Sequence, residues 1–285
     1  MLLFIFCFSS STYALGSKGH WLVCQLAVNN LPLAQQDSLS NLINYLPLAQ
    51  KQQLNIFLKR SINHQVTFAD ACSWPDAIRH EEPFAVYKSW HYLNVAREQT
   101  EIGKSDCQSN CILDAITFHQ QQYINAKNPI TKIQALLFLA HWLGDIHQPL
   151  HISFKSDLGG NKTKVIDRLN STKQKCKNLH QVWDRCLLGN SNKTLLLNSL
   201  APSFESPSSD FITAKNLLVW ANQSLTISRS KSVQYCKIDD NNRACVPTQD
   251  KIIFDQAYLN KNNLTLKKQL NLAAVRLHLF LSENL

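Results

Sequence analysis

The segment HWLGDIHQPLH at residues 141–151 constrains the fold most, because it places three histidines and one aspartate within eleven residues. The stretch that leads into it, residues 135–143, is apolar and predicts a buried helix. If this helix continues past residue 143, His141 and Asp145 lie at positions i and i+4 on one face. An imidazole and a carboxylate on the same helix face are typical of a metal site.

Pro149 sets the direction of the chain after this helix. A proline disfavours helical geometry in the residue before it, so the chain should bend there. We therefore expect His151 to turn back toward the pocket of His141 and Asp145. His147 comes only two positions after Asp145 and should point elsewhere.

A second pair with the same spacing lies in NLHQVWD, where His180 and Asp184 are again at i and i+4. Neutral imidazole and carboxylate are ligands that zinc accepts, at about 2.0–2.2 Å. Upstream, the segments SWPD, WHYLN and GSKGH add Asp76, His91 and His20 as candidates. Two such pairs together predict a zinc site. The other histidines are interpreted as hydrogen-bonded core residues: His64, His80, His119, His147 and His278.

The rest of the chain predicts one mostly helical domain. Hydrophobic residues make up 45% and charged residues 17%, a composition that can bury a sizeable core, and only seven glycines are present. Residues 154–167 are predicted as a loop with a short hairpin. We expect an all-α fold with a single domain over residues 15–285. Apolar residues recur with a helical period in four stretches: 20–31, 111–124, 131–143 and 266–281.

Residues 1–14 have the pattern of a secretory signal peptide, with an apolar stretch at 2–8 and small residues at Thr12 and Ala14. Cleavage after Ala14 would make Leu15 the first residue of the mature protein. A buried N-terminal strand is the alternative interpretation. No later stretch reaches the roughly 18 apolar residues that span a bilayer. We therefore expect an exported protein, secreted or periplasmic.

Eight cysteines would remain after cleavage, and an even count in an exported chain indicates disulfides. Cys107 with Cys111 and Cys236 with Cys245 are the nearest local pairs, and the other pairings stay open. The formal net charge of +9 favours polyanionic partners such as nucleic acid. A solvated basic face is the alternative explanation of that charge.

Taken together, these motifs resemble those of the S1/P1-type single-strand-specific zinc nucleases, which also act as 3′-nucleotidases. The resemblance covers most of the mature chain. It implies a mostly α-helical domain of the phospholipase C and nuclease type that holds three zinc ions in one cleft. The motifs follow the family's order: GSKGH, SWPDAIR, WHYLN, HWLGDIHQPLH, DLGGN, NLHQVWD, WANQS and AAVRL.

The resemblance also implies the ligands of the three zinc ions, with Asp145 shared between two of them. This family usually begins with Trp where the present chain has Leu15. In the family this first residue binds one of the zinc ions through its backbone atoms, so we expect Leu15 to bind as well. The implied sets are Asp76, His91, His141 and Asp145 for the first ion; Asp145, His20 and the amine and carbonyl of Leu15 for the second; and His151, His180 and Asp184 for the third.

The implied activity is hydrolysis of the 3′-O–P bond of single-stranded DNA and RNA, which gives 5′-phosphates. Zinc ions would make hydroxide available near neutral pH and would stabilise charge on the phosphate. Asp76 would orient the attacking water, and Asn161 of DLGGN resembles the family's asparagine beside the scissile phosphate. Arg79 either pairs with Asp76 or contacts the phosphate.

Substrate recognition is expected to involve the WHYLN motif. Tyr92 matches an aromatic residue that stacks on a nucleobase, with core packing as the alternative. Asn94 stands where the family often has Asp, so the base preference of this chain can differ. The expected substrates are single-stranded DNA, single-stranded RNA and 3′-nucleotides. We expect a monomer without a stable protein partner.

Two other functions are compatible with such a site. A zinc-dependent phospholipase C has a similar fold and three-zinc centre, but Asp184 in place of Glu and the motifs DLGGN and WHYLN fit a nuclease better. A non-catalytic zinc-binding protein would have ligands but no open coordination position. The presence of Asp76, Arg79 and Asn161 argues against it.

Overall fold

The computed structural model describes residues 15–169, 175–189, 191–200, 202, 204, 211–238, 244–248 and 251–285. These residues are mostly helical, which confirms the predicted fold class. The α-helices within them are α1 (Gly16–Asn29), α2 (Leu33–Asn44), α3 (Leu48–Phe57), α4 (Phe68–Ala71), α5 (Trp74–Ile78), α6 (Ile112–Asn125), α7 (Pro129–Ile146), α8 (Leu179–Asp184), α9 (Lys193–Asn198), α10 (Ala214–Ser228) and α11 (Gln256–Asn284). The short strands are β1 (Leu93–Val95), β2 (Ile152–Phe154), β3 (Val165–Asp167), β4 (Cys236–Ile238), β5 (Cys245–Pro247) and β6 (Ile252–Phe254).

Helix α7 forms the centre of the domain. Its first turn is capped by Asn128, whose side chain accepts a hydrogen bond from the backbone N–H of Thr131 at 2.9 Å. Every residue over 135–146 is buried, and a helix that is apolar on all sides needs partners all round. Helices α1, α6 and α11 pack against it. Helix α7 continues through Gly144, which is the condition under which His141 and Asp145 share a face, and it ends before Pro149.

The strands form two-stranded ladders that join distant parts of the chain. Strand β1 runs parallel to β2, β3 runs parallel to β6, and β4 runs antiparallel to β5. The predicted hairpin at 154–167 is therefore wrong, because β2 and β3 pair with other strands. Between them Leu158, Gly159 and Gly160 all have positive φ, but the strands on either side of this left-handed run are not paired with each other.

Four disulfides join all eight cysteines of the described residues. The two predicted local pairs, Cys107–Cys111 and Cys236–Cys245, are confirmed. Cys24–Cys72 ties α1 to the segment between α4 and α5, and Cys176–Cys186 brackets α8. Both of these bridges flank residues that were predicted to bind metal.

The N-terminal segment 1–14 lies outside the described residues, so its removal as a signal peptide stays a prediction. Leu15, the first described residue, is 2% exposed and leads directly into α1. Among the helices that the structure describes, none combines the length and the apolar character needed to cross a membrane.

Helix α4 begins with a capping box that also contains an ion pair. The hydroxyl of Thr67 accepts a hydrogen bond from the Asp70 backbone N–H, and the Asp70 carboxylate accepts from the Thr67 N–H and hydroxyl. Arg60 Nη1 lies 3.0 Å from Asp70 Oδ1. Burial acts to raise the pKa of Asp70, but the bonds from Thr67 and the charge of Arg60 outweigh burial and lower the pKa.

We expect Asp70→Asn to lower the free energy of unfolding at pH 7 by about 1–2 kcal/mol. A carboxyl group whose pKa is lowered by folding stabilises the fold above its unfolded pKa. That contribution is lost as the pH falls through the folded pKa. Denaturant unfolding should therefore show a difference between variant and wild type that shrinks below about pH 4. A constant difference from neutral to acid pH would contradict a role for the ionised carboxylate.

Candidate metal centre

The last turn of α7 supplies the centre of the site. His141 and Asp145 are fully buried on one helix face, as predicted, with His141 Nε2 3.3 Å from Asp145 Oδ2. On α5, Asp76 Oδ1 lies 4.0 Å from His141 Nε2 and 3.9 Å from Arg79 Nη1. The structure thus brings Asp76 to the pair on α7, with a guanidinium beside it.

The parallel ladder of β1 and β2 brings two further histidines to this turn. His91 precedes β1 and His151 precedes β2, and Leu93 pairs with Ile152 in register. His91 Nδ1 lies 2.9 Å from Asp145 Oδ2, and His151 Nδ1 lies 2.6 Å from the His91 carbonyl oxygen. The proline bend therefore returns His151 to the pocket, as the sequence predicted.

Helix α1 and the residue before it approach the other carboxylate oxygen of Asp145, Oδ1. His20 Nε2 lies 3.3 Å from Asp145 Oδ1, and the backbone N–H of Leu15 donates to the same oxygen at 3.4 Å. The approach is possible because residue 144 is a glycine. A Cβ added to Gly144 would lie 2.7 Å from His20 Nδ1. The helix–helix contact at this point therefore requires glycine.

Helix α8 places the last two candidate ligands together. His180 Nε2 lies 3.4 Å from Asp184 Oδ2, and His151 Nε2 lies 3.8 Å from Asp184 Oδ1. The Asn178 side chain caps the helix by accepting from the Gln181 N–H at 2.9 Å. Because α8 is only six residues long, this cap fixes the turn that carries both side chains.

Three of the histidines have a fixed ring orientation. Each donates its Nδ1–H to a backbone carbonyl, so its Nε2 lone pair faces the pocket, which is the arrangement that metal-binding histidines need. These bonds join His141 to Cys72 at 2.8 Å, His151 to His91 at 2.6 Å, and His180 to Gly159 at 2.7 Å. His91 differs, because its Nδ1 faces Asp145.

The donor set fits metal cations. Several buried polar atoms make no hydrogen bond within the described residues: both oxygens of Asp76, both ring nitrogens of His20, and Nε2 of His151. Leaving such atoms unsatisfied costs about 1–3 kcal/mol each, and a bound cation removes that cost. Ligand atoms lie within 4.8 Å of one another in three groups of residues: His20, His141 and Asp145; Asp76, His91 and His141; and His151, His180 and Asp184.

A fourth group contains Cys107, Cys111 and Asp114. The two cysteines form a disulfide and offer no thiolate, so this group is not a metal site.

Charges within the cluster oppose the effect of burial. Burial lowers the pKa values of His20, His91 and His180, which favours the neutral imidazole that binds metal. For His151, burial also acts to lower the pKa, but the negative charges of Asp145 and Asp184 outweigh it and raise the value to about 9. The centre therefore attracts positive charge.

A second layer of polar residues holds the ligands, and sequence reasoning missed it. The Gln148 side chain donates to Asp184 Oδ1 at 2.6 Å and accepts from the Leu150 N–H at 2.5 Å. From α10, Ser224 donates to the Ile146 carbonyl and Ser228 to the Pro149 carbonyl. Two sequence features could have indicated these residues: a glutamine between two candidate ligands, and two serines four residues apart in WANQSLTIS.

The predicted substrate-binding residues lie on segments that also position candidate ligands: Tyr92 and Asn94 follow His91, and Asn161 belongs to the loop whose Gly159 carbonyl accepts from His180. Tyr92 is 42% exposed, which disfavours the core-packing alternative. Asn94 pairs with Ser153 across β1 and β2, and its Oδ1 is buried without a hydrogen bond. The Asn161 side chain donates to the Leu158 carbonyl at 2.8 Å, so DLGGN folds as a compact turn.

The five remaining histidines belong to none of the ligand groups found in the described residues. His119 and His147 are buried core residues, and burial lowers the pKa of His119 to about 4. His278 is partly buried and bonds to the Ala27 carbonyl. The prediction is wrong for His64 and His80, which are exposed because both lie in loops at helix ends.

Fold and site together define a helical protein whose candidate His/Asp metal centre lies at the end of one buried helix. The chain belongs to the S1/P1 nuclease family, whose model matches residues 15–285. The resemblance inferred from the motifs is therefore confirmed.

The chain is also similar to several named proteins. It is 34% identical over 193 residues to Endonuclease 1 of Arabidopsis thaliana, covering 64% of this chain and 56% of that protein. Endonuclease 4 of the same plant is 29% identical over 198 residues, covering 65% and 59%. Nuclease S1 of Aspergillus oryzae is 28% identical over 121 residues, covering 41% and 40%. The chain thus spans less than two thirds of the length of these relatives.

With zinc as the probe ion, we expect Gln148→Leu to weaken metal binding at one of the candidate ligand groups by about 10–100-fold, the usual effect of removing a residue that orients a ligand. Leucine has a similar size but cannot hold Asp184 Oδ1. Competition with a chromogenic chelator measures the affinity of each bound ion. Gln269→Leu is the matched control, since this glutamine is also buried and lies on α11. Equal zinc affinity in Gln148→Leu and wild type would rule out the orienting role.

Proposed function

We propose that this protein is a secreted zinc-dependent endonuclease and 3′-nucleotidase. Its substrates are single-stranded DNA, single-stranded RNA and 3′-nucleotides, and hydrolysis of the 3′-O–P bond gives 5′-phosphates. The observation that carries the proposal is the gathering of three His/Asp groups around one buried aspartate. Membership of the S1/P1 nuclease family and the names of the relatives support it.

Three zinc ions are the proposed cofactors. When bound, zinc supplies an activated water and neutralises charge on the phosphate. Asp145 is the shared ligand because its two oxygens face different histidines, with Oδ1 toward His20 and Oδ2 toward His91. The proposed sets are Asp76, His91, His141 and Asp145; Asp145, His20 and Leu15; and His151, His180 and Asp184.

The protein's own groups then orient the substrate. Asp76 has two carboxylate oxygens without hydrogen bonds, so one can bind a cation while the other accepts a proton from the attacking water. Arg79 lies near enough to that carboxylate to contact a phosphate oxygen as well. Asn161 is proposed to hold the scissile phosphate. The exposed ring of Tyr92 offers a stacking surface for an unpaired base, and the amide of Asn94 is proposed to hydrogen-bond to the edge of that base.

Leu15 is proposed as the first residue of the mature protein and as a metal ligand through its amine and carbonyl. A free α-amine has a pKa near about 8, so a cation can displace its proton at neutral pH. The Leu15 side chain is buried between two glycines. A Cβ on Gly19 would lie 2.6 Å from Leu15 Cγ, and one on Gly144 would lie 3.4 Å from Leu15 Cδ2. This packing holds the leucine backbone beside Asp145.

Export and a monomeric state complete the proposal. The four disulfides need an oxidising compartment, which supports a secreted or periplasmic location. The net charge of +9 suits a polyanionic substrate.

The first experiment compares cleavage of heat-denatured and duplex DNA by protein whose N-terminus has been confirmed at Leu15. We expect rapid cleavage of the denatured strand, loss of activity with EDTA, and recovery with zinc. His141→Gln should be inactive, whereas the control His278→Gln changes a histidine outside the cluster and should keep wild-type activity. Cleavage of phosphatidylcholine but not DNA would support the phospholipase C alternative. Zinc binding without either activity would indicate a non-catalytic role.

Asp145→Asn tests the proposed sharing of one carboxylate by two ions. Changes in residues around a metal site cost about 10–100-fold, so loss of a shared ligand should cost more than about 100-fold in activity. Elemental analysis should show that more than one zinc is lost per protein. Full zinc content together with full activity would refute the bridging role.

A further inference from the structure

The loop at residues 155–163 connects β2 to β3 and contains the DLGGN motif. Leu158, Gly159 and Gly160 are three successive residues with positive φ, a conformation that side chains other than that of glycine disfavour. A Cβ added to Gly159 would lie 2.6 Å from the Leu150 carbonyl oxygen, so the loop packs tightly against the turn that carries His151. Such a backbone persists only when surrounding contacts hold it.

Asp157 supplies most of these contacts through a single carboxylate. The backbone oxygen of Asp157 accepts from the Lys162 N–H at 3.0 Å, which closes the turn. Of the four groups that donate to the carboxylate, two belong to the loop and two come from outside it. The donors to the carboxylate are the N–H of Gly160 at 3.2 Å, the hydroxyl of Thr163 at 2.7 Å, Nη2 of Arg97 at 2.9 Å, and the hydroxyl of Tyr235.

Arg97 connects this carboxylate to the rest of the protein. Its guanidinium packs against the rings of Phe154 and Tyr235, at 4.7 and 4.9 Å from their centres, and the two rings are themselves neighbours with centres 5.3 Å apart. Its Nη1 donates to the carbonyl oxygen of Cys245 at 3.3 Å, next to a disulfide. A planar group that packs against two rings and donates from all three of its nitrogens has one orientation, so it fixes the position of Asp157.

The loop in turn sets the positions of two proposed functional groups. The Gly159 carbonyl accepts the Nδ1–H of His180 at 2.7 Å, which directs Nε2 of that histidine toward the metal centre. The Gly160 carbonyl accepts the backbone N–H of His180 at 3.4 Å. Asn161 follows the two glycines, and its N–H and side-chain amide both bond to Leu158.

We propose that Asp157 is a positioning residue for the reaction. Its carboxylate holds the left-handed loop so that His180 binds its zinc ion and Asn161 meets the phosphate. The inference rests on the proposed function, since it assumes that these two residues act as ligand and phosphate contact. Asp157 itself touches neither metal nor substrate and acts through the backbone of Gly159 and Gly160.

A merely stabilising carboxylate would have different consequences, and the chain contains one for comparison. Asp70 also pairs with an arginine and also accepts bonds from a threonine hydroxyl and a backbone N–H. It caps α4 and contacts none of the candidate ligands that the structure describes. Asp70→Asn is therefore the matched control for Asp157→Asn, because both variants remove one charge from an Arg/Thr-bonded aspartate.

The test compares wild type, Asp157→Asn and Asp70→Asn in zinc affinity, in kcat and KM on a 3′-nucleotide, and in unfolding midpoint. We expect Asp157→Asn to bind one zinc ion about 10–100-fold more weakly and to leave the other two unchanged. At saturating zinc its kcat should fall while KM changes little, because the phosphate contact of Asn161 is misplaced. Asp70→Asn should lose stability but keep wild-type zinc affinities and kcat.

Two single-donor variants give the same information if Asp157→Asn does not fold. Tyr235→Phe and Thr163→Val each remove one of the four donors and should produce smaller losses of affinity for the same single ion. Wild-type zinc affinities and kcat in the folded variants would overturn the inference, as would equal effects in Asp70→Asn. Failure of the wild-type protein to bind zinc or to cleave a 3′-nucleotide would instead overturn the proposed function.

Discussion

The buried carboxylate of Asp145 is the interaction on which the rest of the structure depends. A lone charge at 0% exposure would cost several kcal/mol, so the fold must surround it with donors or cations. Helix α1 supplies His20 and the Leu15 N–H to one oxygen, and His91 and His141 approach the other. Three separate parts of the chain therefore meet at one side chain, which explains why the site lies inside the domain.

The arrangement also explains the unusual composition of α7. Its middle is apolar on every side and anchors the helix in the core, and its last turn presents polar ligands. Hydrogen bonds from other elements hold the chain at and just after that last turn. Two serines of α10 bond to carbonyls on either side of His147, and Gln148 bonds to Asp184. The metal centre is thus stabilised by helix packing and by a set of directed hydrogen bonds.

The parts of the site that residue spacing alone predicted are the local ones, whereas the gathering of Asp76, His91 and His20 was implied by the family resemblance. The pairs on α7 and α8 follow from helical spacing, and the return of His151 follows from Pro149. The bonds of Gln148 to Asp184 and of Arg97 to Asp157 could not be predicted, because the partners lie 36 and 60 residues apart in the chain. The hairpin prediction failed for the same reason, since the parallel ladders depend on long-range pairing.

The packing of Leu15 has a practical consequence for producing the protein. The backbone N–H of this residue lies 3.4 Å from the Asp145 carboxylate, and its side chain fills the space beside two glycines. An affinity tag fused in front of it would extend the chain from the middle of the metal centre. Helix α11 ends at Asn284, and no ligand group of the described residues includes any part of it. Under the proposal that Leu15 is the first residue of the mature protein, a tag in front of it would remove the free α-amine there, whereas a tag after α11 leaves every ligand group of the described residues unchanged.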